Sequence, residues 1–196
     1  MRTRPIFRLR RPRSSSRSVE VIGRRLPEFE GRAVWIRFLP ELSAGRSQLY
    51  SNRVYGQPVH AATFIRKREI VLDQELERQP KELARILTHE LFHFAWVRLG
   101  NNRRRSYEAL LRGEWKRSAR GELGWSAEMR KKAMPRQPST THHRKWRDYV
   151  CESFCDTAAW LYSGVARHAE FTLADGHRKR RAAWFRATFR NRRIPI

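Results

Sequence analysis

Lys81–Leu99 reads KELARILTHELFHFAWVRL. It holds neither Gly nor Pro, and Leu83, Ile86, Leu87, Leu91, Phe94 and Val97 recur at helical spacing. Pro80 stands just ahead of it, where a first helical turn has no use for the missing N–H, and Gly100 stands just behind, where helices stop. The spacing predicts one long helix with apolar flanks. Inside it lies His89-Glu90-Leu91-Phe92-His93, an H-E-x-x-H string. Residues at i and i+4 share a helix face with Cβ atoms about 5–6 Å apart. Two imidazoles at that spacing can hold one Zn²⁺ at about 2.0–2.1 Å. Glu90, one position on from His89, is placed to take a proton from a metal-activated water and to pass it to a leaving amine. Two His and a Glu in such apolar surroundings are costly to bury unless paired or metal-bound.

A catalytic zinc needs a third protein ligand and an open fourth position. His60, at the start of a predicted strand, is one candidate, and the adjacent His142 and His143, just before a predicted helix, are others. Glu152 is a fourth. The stretch from about Thr141 to Tyr162 has helical periodicity, with Tyr149, Phe154, Ala158 and Leu161 as apolar positions. Glu152-Ser153-Phe154-Cys155-Asp156 puts two carboxylates on one face of it. Glu152 there can ligate, while Asp156 accepts the free N–H of a ligating His and fixes its tautomer. Cys151 and Cys155 bracket Glu152 at i, i+4 and read as small, reduced residues packing the helix.

H-E-x-x-H followed by E-x-x-x-D on a later helix resembles the gluzincin branch of the zincin metallopeptidases. The resemblance implies His89, His93 and Glu152 as zinc ligands, Glu90 as catalytic base and then acid, and Asp156 as the partner of a ligating His. Metzincins do not fit, because Trp96 and Leu99 stand where their longer motif has Gly and His. A Spartan-type protease, linked to DNA and built on three His, would use a downstream His such as His142. Candidates for the donor that steadies a tetrahedral oxyanion are His142, Tyr149, His168 and His177; His168 and His177 follow the ligand helix, as the donor does in thermolysin-like enzymes.

Around this centre, Arg32–Leu39 alternates Val34, Ile36 and Phe38 as a strand does. Residues 61–65 and 69–72, joined by Arg66-Lys67-Arg68, read as a hairpin of the kind that lines a peptidase cleft. Helices are expected at 107–116 and 126–134, and a last one near Asp175, which could cap it. The fold class is thus α+β, and the resemblance implies that it is zincin-like. A small antiparallel sheet packs on the H-E-x-x-H helix, and a mostly helical C-terminal half follows.

The 196 residues carry 43 Lys and Arg against 19 Asp and Glu, a formal charge of +24. That excess steers the chain toward polyanions or acidic proteins. It concentrates at the ends: residues 1–17 hold seven Arg and no acid, and no acid follows Asp175. Residues 1–18 are expected to be a disordered basic arm. Residues 19–196 are expected to be one domain ending in a basic helix, with Trp184, Phe185 and Phe189 docked and the His177–Arg181 run outside. No apolar run reaches the ~18 residues of a membrane span. The Arg-interrupted N-terminus does not suit a secretory signal, and two Cys make no disulfide framework. These features point to a cytoplasmic zinc metallopeptidase acting on a protein or peptide, with nonspecific nucleic-acid association through the basic arms. Two alternatives stand beside it: a nucleic-acid-associated protein with a structural or inactive zinc, and a regulatory protease with a single protein partner.

Overall fold

A computed structural model describes residues 7–9, 15–46, 48–52, 55–135, 144–190 and 192–196. Along the chain run β1 (Phe7–Leu9), α1 (Ser15–Arg25), β2 (Phe29–Glu30), β3 (Val34–Leu39), β4 (Ser43–Gly45), β5 (Gln48–Tyr50), β6 (Gln57–Pro58), β7 (Ala61–Phe64) and β8 (Glu69–Asp73). Then follow α2 (Pro80–Arg98), α3 (Asn101–Lys116), α4 (Trp125–Lys132), α5 (Arg144–Tyr162), α6 (Asp175–Phe189) and β9 (Ile194–Pro195). The class is α+β, as the sequence implies.

The main sheet has the order β1-β3-β8-β7. It is mixed, which corrects the expected antiparallel sheet. β1 pairs parallel with β3, and β3 parallel with β8 (Ile36 opposite Ile70); only β7 and β8 form an antiparallel hairpin. The reason lies in the connection from β3 to β8. It runs through a separate three-stranded sheet, β5-β4-β6, so the chain returns in the direction it left. Ile70, Val71 and Leu72 of β8 are fully buried on both faces, the pattern of an interior strand in a covered sheet. β7 is one of the two edge strands, and each of its residues keeps part of its surface exposed.

Helix α2 covers this sheet. Pro80 opens it, and Leu83, Leu87, Leu91, Phe92 and Phe94 are fully buried along it. Gly100, at φ 79°, turns the chain out of α2 and into α3, a backbone angle that needs no Cβ in the way. Helix α5 packs along α2, and the rings of Phe92, Phe154 and Phe185 join α2, α5 and α6 (Phe154 to Phe185 at 4.9 Å). As expected, α6 docks through Phe185, with Trp184 and Phe189 half-buried and the Trp184 indole donating to Ser106 Oγ at 3.0 Å.

Three expectations are corrected at the ends. Phe7–Leu9 and Ser15–Arg25 belong to elements, and Val19 and Ile22 of α1 enter the core, so the basic stretch to residue 18 is not one continuous arm. Asp175 lies in the first turn of α6, and Ala174 takes the cap position. Arg181, read as part of an outer basic face, is fully buried. Its guanidinium donates to Glu114 (2.7 Å) and to Glu122 (2.7 Å), carboxylates that α6 meets as it crosses the helical half. At the other end of the chain, β9 pairs with β2 and buries Ile194 and Ile196. Among the described residues, no helix is long and apolar enough to cross a membrane.

Candidate metal centre

Helix α2 carries His89, Glu90 and His93, and α5 brings Glu152 and Asp156 across to them. Asp156 is 2% exposed, and its two carboxylate oxygens are both committed. Oδ1 lies 2.7 Å from His89 Nδ1, and Oδ2 accepts the Ala127 backbone N–H of α4 at 2.9 Å. The close fit has a local cause in Gly124, just before α4. A Cβ there would fall 2.2 Å from the Asp156 carboxyl carbon.

With Nδ1 held by Asp156, His89 presents Nε2 to Glu152. Glu152 Oε2 lies 3.2 Å from His89 Nε2 and 4.0 Å from His93 Nε2. Ligand atoms at about 2.0–2.1 Å from a tetrahedral zinc stand about 3.3 Å apart, so the 3.2 Å separation matches that spacing and the 4.0 Å one exceeds it. The other Glu152 oxygen, Oε1, is 3.0 Å from Arg130 on α4. Glu90 points elsewhere: Thr63 Oγ1 on the edge strand β7 donates to Glu90 Oε2 at 2.6 Å. Glu90 and His93 line an open cleft of about 160 Å³ with Thr63, Ile65, Val97 and Cys151.

The electrostatics follow from this packing. Burial opposes charge on His89, but Asp156 and then Glu152 outweigh it and raise its pKa well above the ordinary histidine value. Burial likewise opposes charge on Glu152, yet His89, His93 and Arg130 together pull its pKa down to about 2. His93 is raised despite burial, chiefly through Cys151.

The remaining candidates are not brought to this cleft. The Tyr149 hydroxyl donates to Glu122 Oε1 at 2.6 Å inside the Arg181 cluster, and burial and Glu122 push its pKa up. His168 is held by Glu82 (Nε2, 2.7 Å) and by the Glu170 N–H on Nδ1. His177 lies against Glu114 at 3.6 Å, and His60 is exposed at the mouth of β7. Tyr149, His168 and His177 are therefore corrected as oxyanion donors, since none of them lines the cleft and the Tyr149 hydroxyl, both His168 nitrogens and His177 Nδ1 serve other partners. His142 and His143 lie outside the described residues.

Three contributors escape a reading of the sequence. Thr63 and Arg130 carry no signal, one being an ordinary strand residue and the other one cation among many. Gly124 gives none either, because its partner is far along the chain. The cysteines do give one, their i, i+4 placement around Glu152. Cys151 Sγ and Cys155 Sγ lie 3.6 and 3.5 Å from His93 Nδ1, on the ring nitrogen that the Glu152 side does not use. Among the described residues, potential ligand atoms of His89, His93 and Cys155 all fall within 4.8 Å of one another.

No protein-family model, curated protein or solved structure matches this chain.

Proposed function

We propose that the chain is a zinc-dependent metallopeptidase with a gluzincin-like ligand set. One observation carries the reading. The Glu152 carboxylate, supplied by a separate helix, converges on the Nε2 atoms of His89 and His93, while the acid of the H-E-x-x-H string turns to the cleft. His89 Nε2, His93 Nε2 and Glu152 would hold the zinc. When bound, the ion supplies a water acidified toward neutrality. Glu90 Oε2 is fixed by Thr63, so the carboxylate is oriented at the cleft wall to accept a proton and to return it to the departing amine. Asp156 fixes the His89 tautomer, and Arg130 keeps Glu152 from rotating out of line. The edge strand β7 borders the cleft through Thr63, so an extended peptide has a backbone to lie against there. With a formal charge of +24, acidic protein or peptide substrates are favoured.

The test is metal analysis and peptide hydrolysis on the full chain. Wild type is expected to hold one zinc and to cleave an acidic peptide. Glu152→Ala is expected to lose the metal, and Glu90→Gln to keep it and lose cleavage. Full zinc in Glu152→Ala, or equal turnover in Glu90→Gln, overturns the reading. Loss of zinc in His142→Ala with retention in Glu152→Ala transfers the third ligand to His142.

A further inference from the structure

His93 faces two ligand sets. Its Nε2 looks toward His89 and Glu152, and its Nδ1 toward two thiols. We propose that Cys151, Cys155 and His93 Nδ1 form a second metal position, for a thiophilic d¹⁰ cation such as Cd²⁺ or Cu⁺, built on the ring nitrogen other than the one that faces Glu152.

The geometry suits such an ion. Cys151 and Cys155 are one helical turn apart on α5 and present both sulfurs to the same nitrogen. A tetrahedral ion at zinc-like distances, about 2.3 Å to sulfur and 2.0–2.1 Å to nitrogen, spaces S and N by about 3.5–3.6 Å, and the larger Cd²⁺ needs a few tenths of an ångström more. The two sulfurs lie 3.6 and 3.5 Å from Nδ1. Both cysteines are free thiols. Cys155 is buried, whereas Cys151 is half-buried and lines the cleft, which gives an ion a way in. For Cd²⁺ charge also balances: the divalent ion replaces two thiol protons and leaves the buried position neutral. Two thiolates and an imidazole form a soft donor set, unlike the carboxylate and two imidazoles on the other side of the ring.

Occupancy has a consequence for the neighbouring site, and this consequence alone rests on the zinc reading. A neutral imidazole has one ring nitrogen free to ligate and one that carries its proton. A cation on Nδ1 puts that proton on Nε2 and withdraws His93 from the His89–Glu152 set. The two sites are therefore exclusive, and a soft cation inhibits hydrolysis.

The experiment is a Cd²⁺ titration of the metal-free full chain. It follows the thiolate-to-cadmium charge-transfer band in the ultraviolet and the reactivity of the cysteines toward a disulfide reagent. The band is expected to saturate at one Cd²⁺ per chain while both thiols become unreactive. Cys151→Ser and Cys155→Ser are each expected to weaken it, and Glu152→Gln to keep it. Saturating Cd²⁺ that gives no band and leaves both thiols reactive in wild type overturns the site, whatever the fold of the variants. A full band in both serine variants overturns it too. A chain that shows the band but cleaves nothing supports the thiol site and counts only against the peptidase reading.

Discussion

Helix α5 serves two buried polar clusters from adjacent faces, and they differ in how their charge is closed. Along one face, Tyr149, Ser153 and Thr157 meet a network around Arg181. The guanidinium is fully buried between Glu114 and Glu122, and Lys131 reaches Glu122 at 2.9 Å. Two carboxylates thus face two cations, and the hydroxyls of Tyr107, Tyr149 and Thr157 fill the remaining positions. Along the other face, Glu152 and Asp156 meet Arg130 and the two histidines His89 and His93. That pair of carboxylates balances only with a further positive charge, either a proton on His89 or a metal ion. The first cluster is completed by side chains and closed to solvent. The second lacks such a match among the described side chains and opens on a cleft. A buried network whose residues neutralise one another holds elements together; under the proposed zinc reading, the second takes its further charge from the ion.

The comparison breaks most visibly at Glu90. Glu90→Gln is expected to lower turnover by about 10²–10⁴-fold, the range for a positioned proton carrier, while the melting temperature stays near wild type. Calorimetry beside a peptidase assay separates the two quantities. A large fall in melting temperature would make Glu90 part of the scaffold.

The closed cluster is expected to answer the opposite way. Arg181→Ala leaves two buried carboxylates with Lys131 alone, and breaking a buried pair costs about 3–5 kcal/mol. Denaturant unfolding of the zinc-loaded chain measures it. Arg181→Lys is expected to recover only part, because an ammonium cannot serve both carboxylates as the planar fork does. A loss below about 1 kcal/mol in Arg181→Ala would show that the cluster contributes little beyond a surface ion pair.

These two variants also mark where the sequence could be read and where it could not. The α2 periodicity, the 61–72 hairpin and the spacings His89–His93 and Glu152–Asp156 are local, and local patterns survive in a string of letters. Burial of Arg181 is not local. The residue sits among His177, Arg178, Lys179 and Arg180, and what distinguishes it is the position of Glu114 and Glu122 on other elements. The parallel pairing of β3 with β8 is hidden for the same reason, since an alternating strand pattern does not encode the direction of its neighbour. β9 has only two residues, too few for any period to appear. Histidine is a poor guide by itself: His168 and His177 follow α5, where the resemblance to thermolysin-like enzymes puts an oxyanion donor, yet each is held by a glutamate elsewhere.

A smaller effect probes the support of the open cluster. Asp156→Asn keeps the shape but removes the charge that holds His89, and such partners typically account for 10–100-fold in metal affinity. Competition with a zinc chelator reads it. Gly124→Ala is expected to act in the same direction without touching a ligand, because its Cβ must displace the Asp156 carboxylate. Unchanged zinc affinity in both variants would leave Asp156 as a packing residue of the α4–α5 contact.

The gentlest test uses pH on the closed cluster. Burial opposes charge on Glu122, but Arg181, Lys131 and the Tyr149 hydroxyl outweigh it and hold its pKa below the ordinary value. A carboxyl whose folded pKa lies below its unfolded one contributes stability that is complete above the unfolded value, about 4.3, and fades as pH falls toward the folded one. Above that window the Glu122 contribution is flat, so wild type and Glu122→Gln are expected to differ by a constant amount from pH 8 to about 5. Below it the two unfolding free energies are expected to converge, because protonation makes wild type resemble the variant. Measured on Glu152→Ala, which is expected to lack the metal, the convergence reports the Arg181 cluster alone. A gap that stays constant through pH 3 would mean that Glu122 keeps the same proton affinity when the chain unfolds, and that the closure around Arg181 is steric rather than electrostatic.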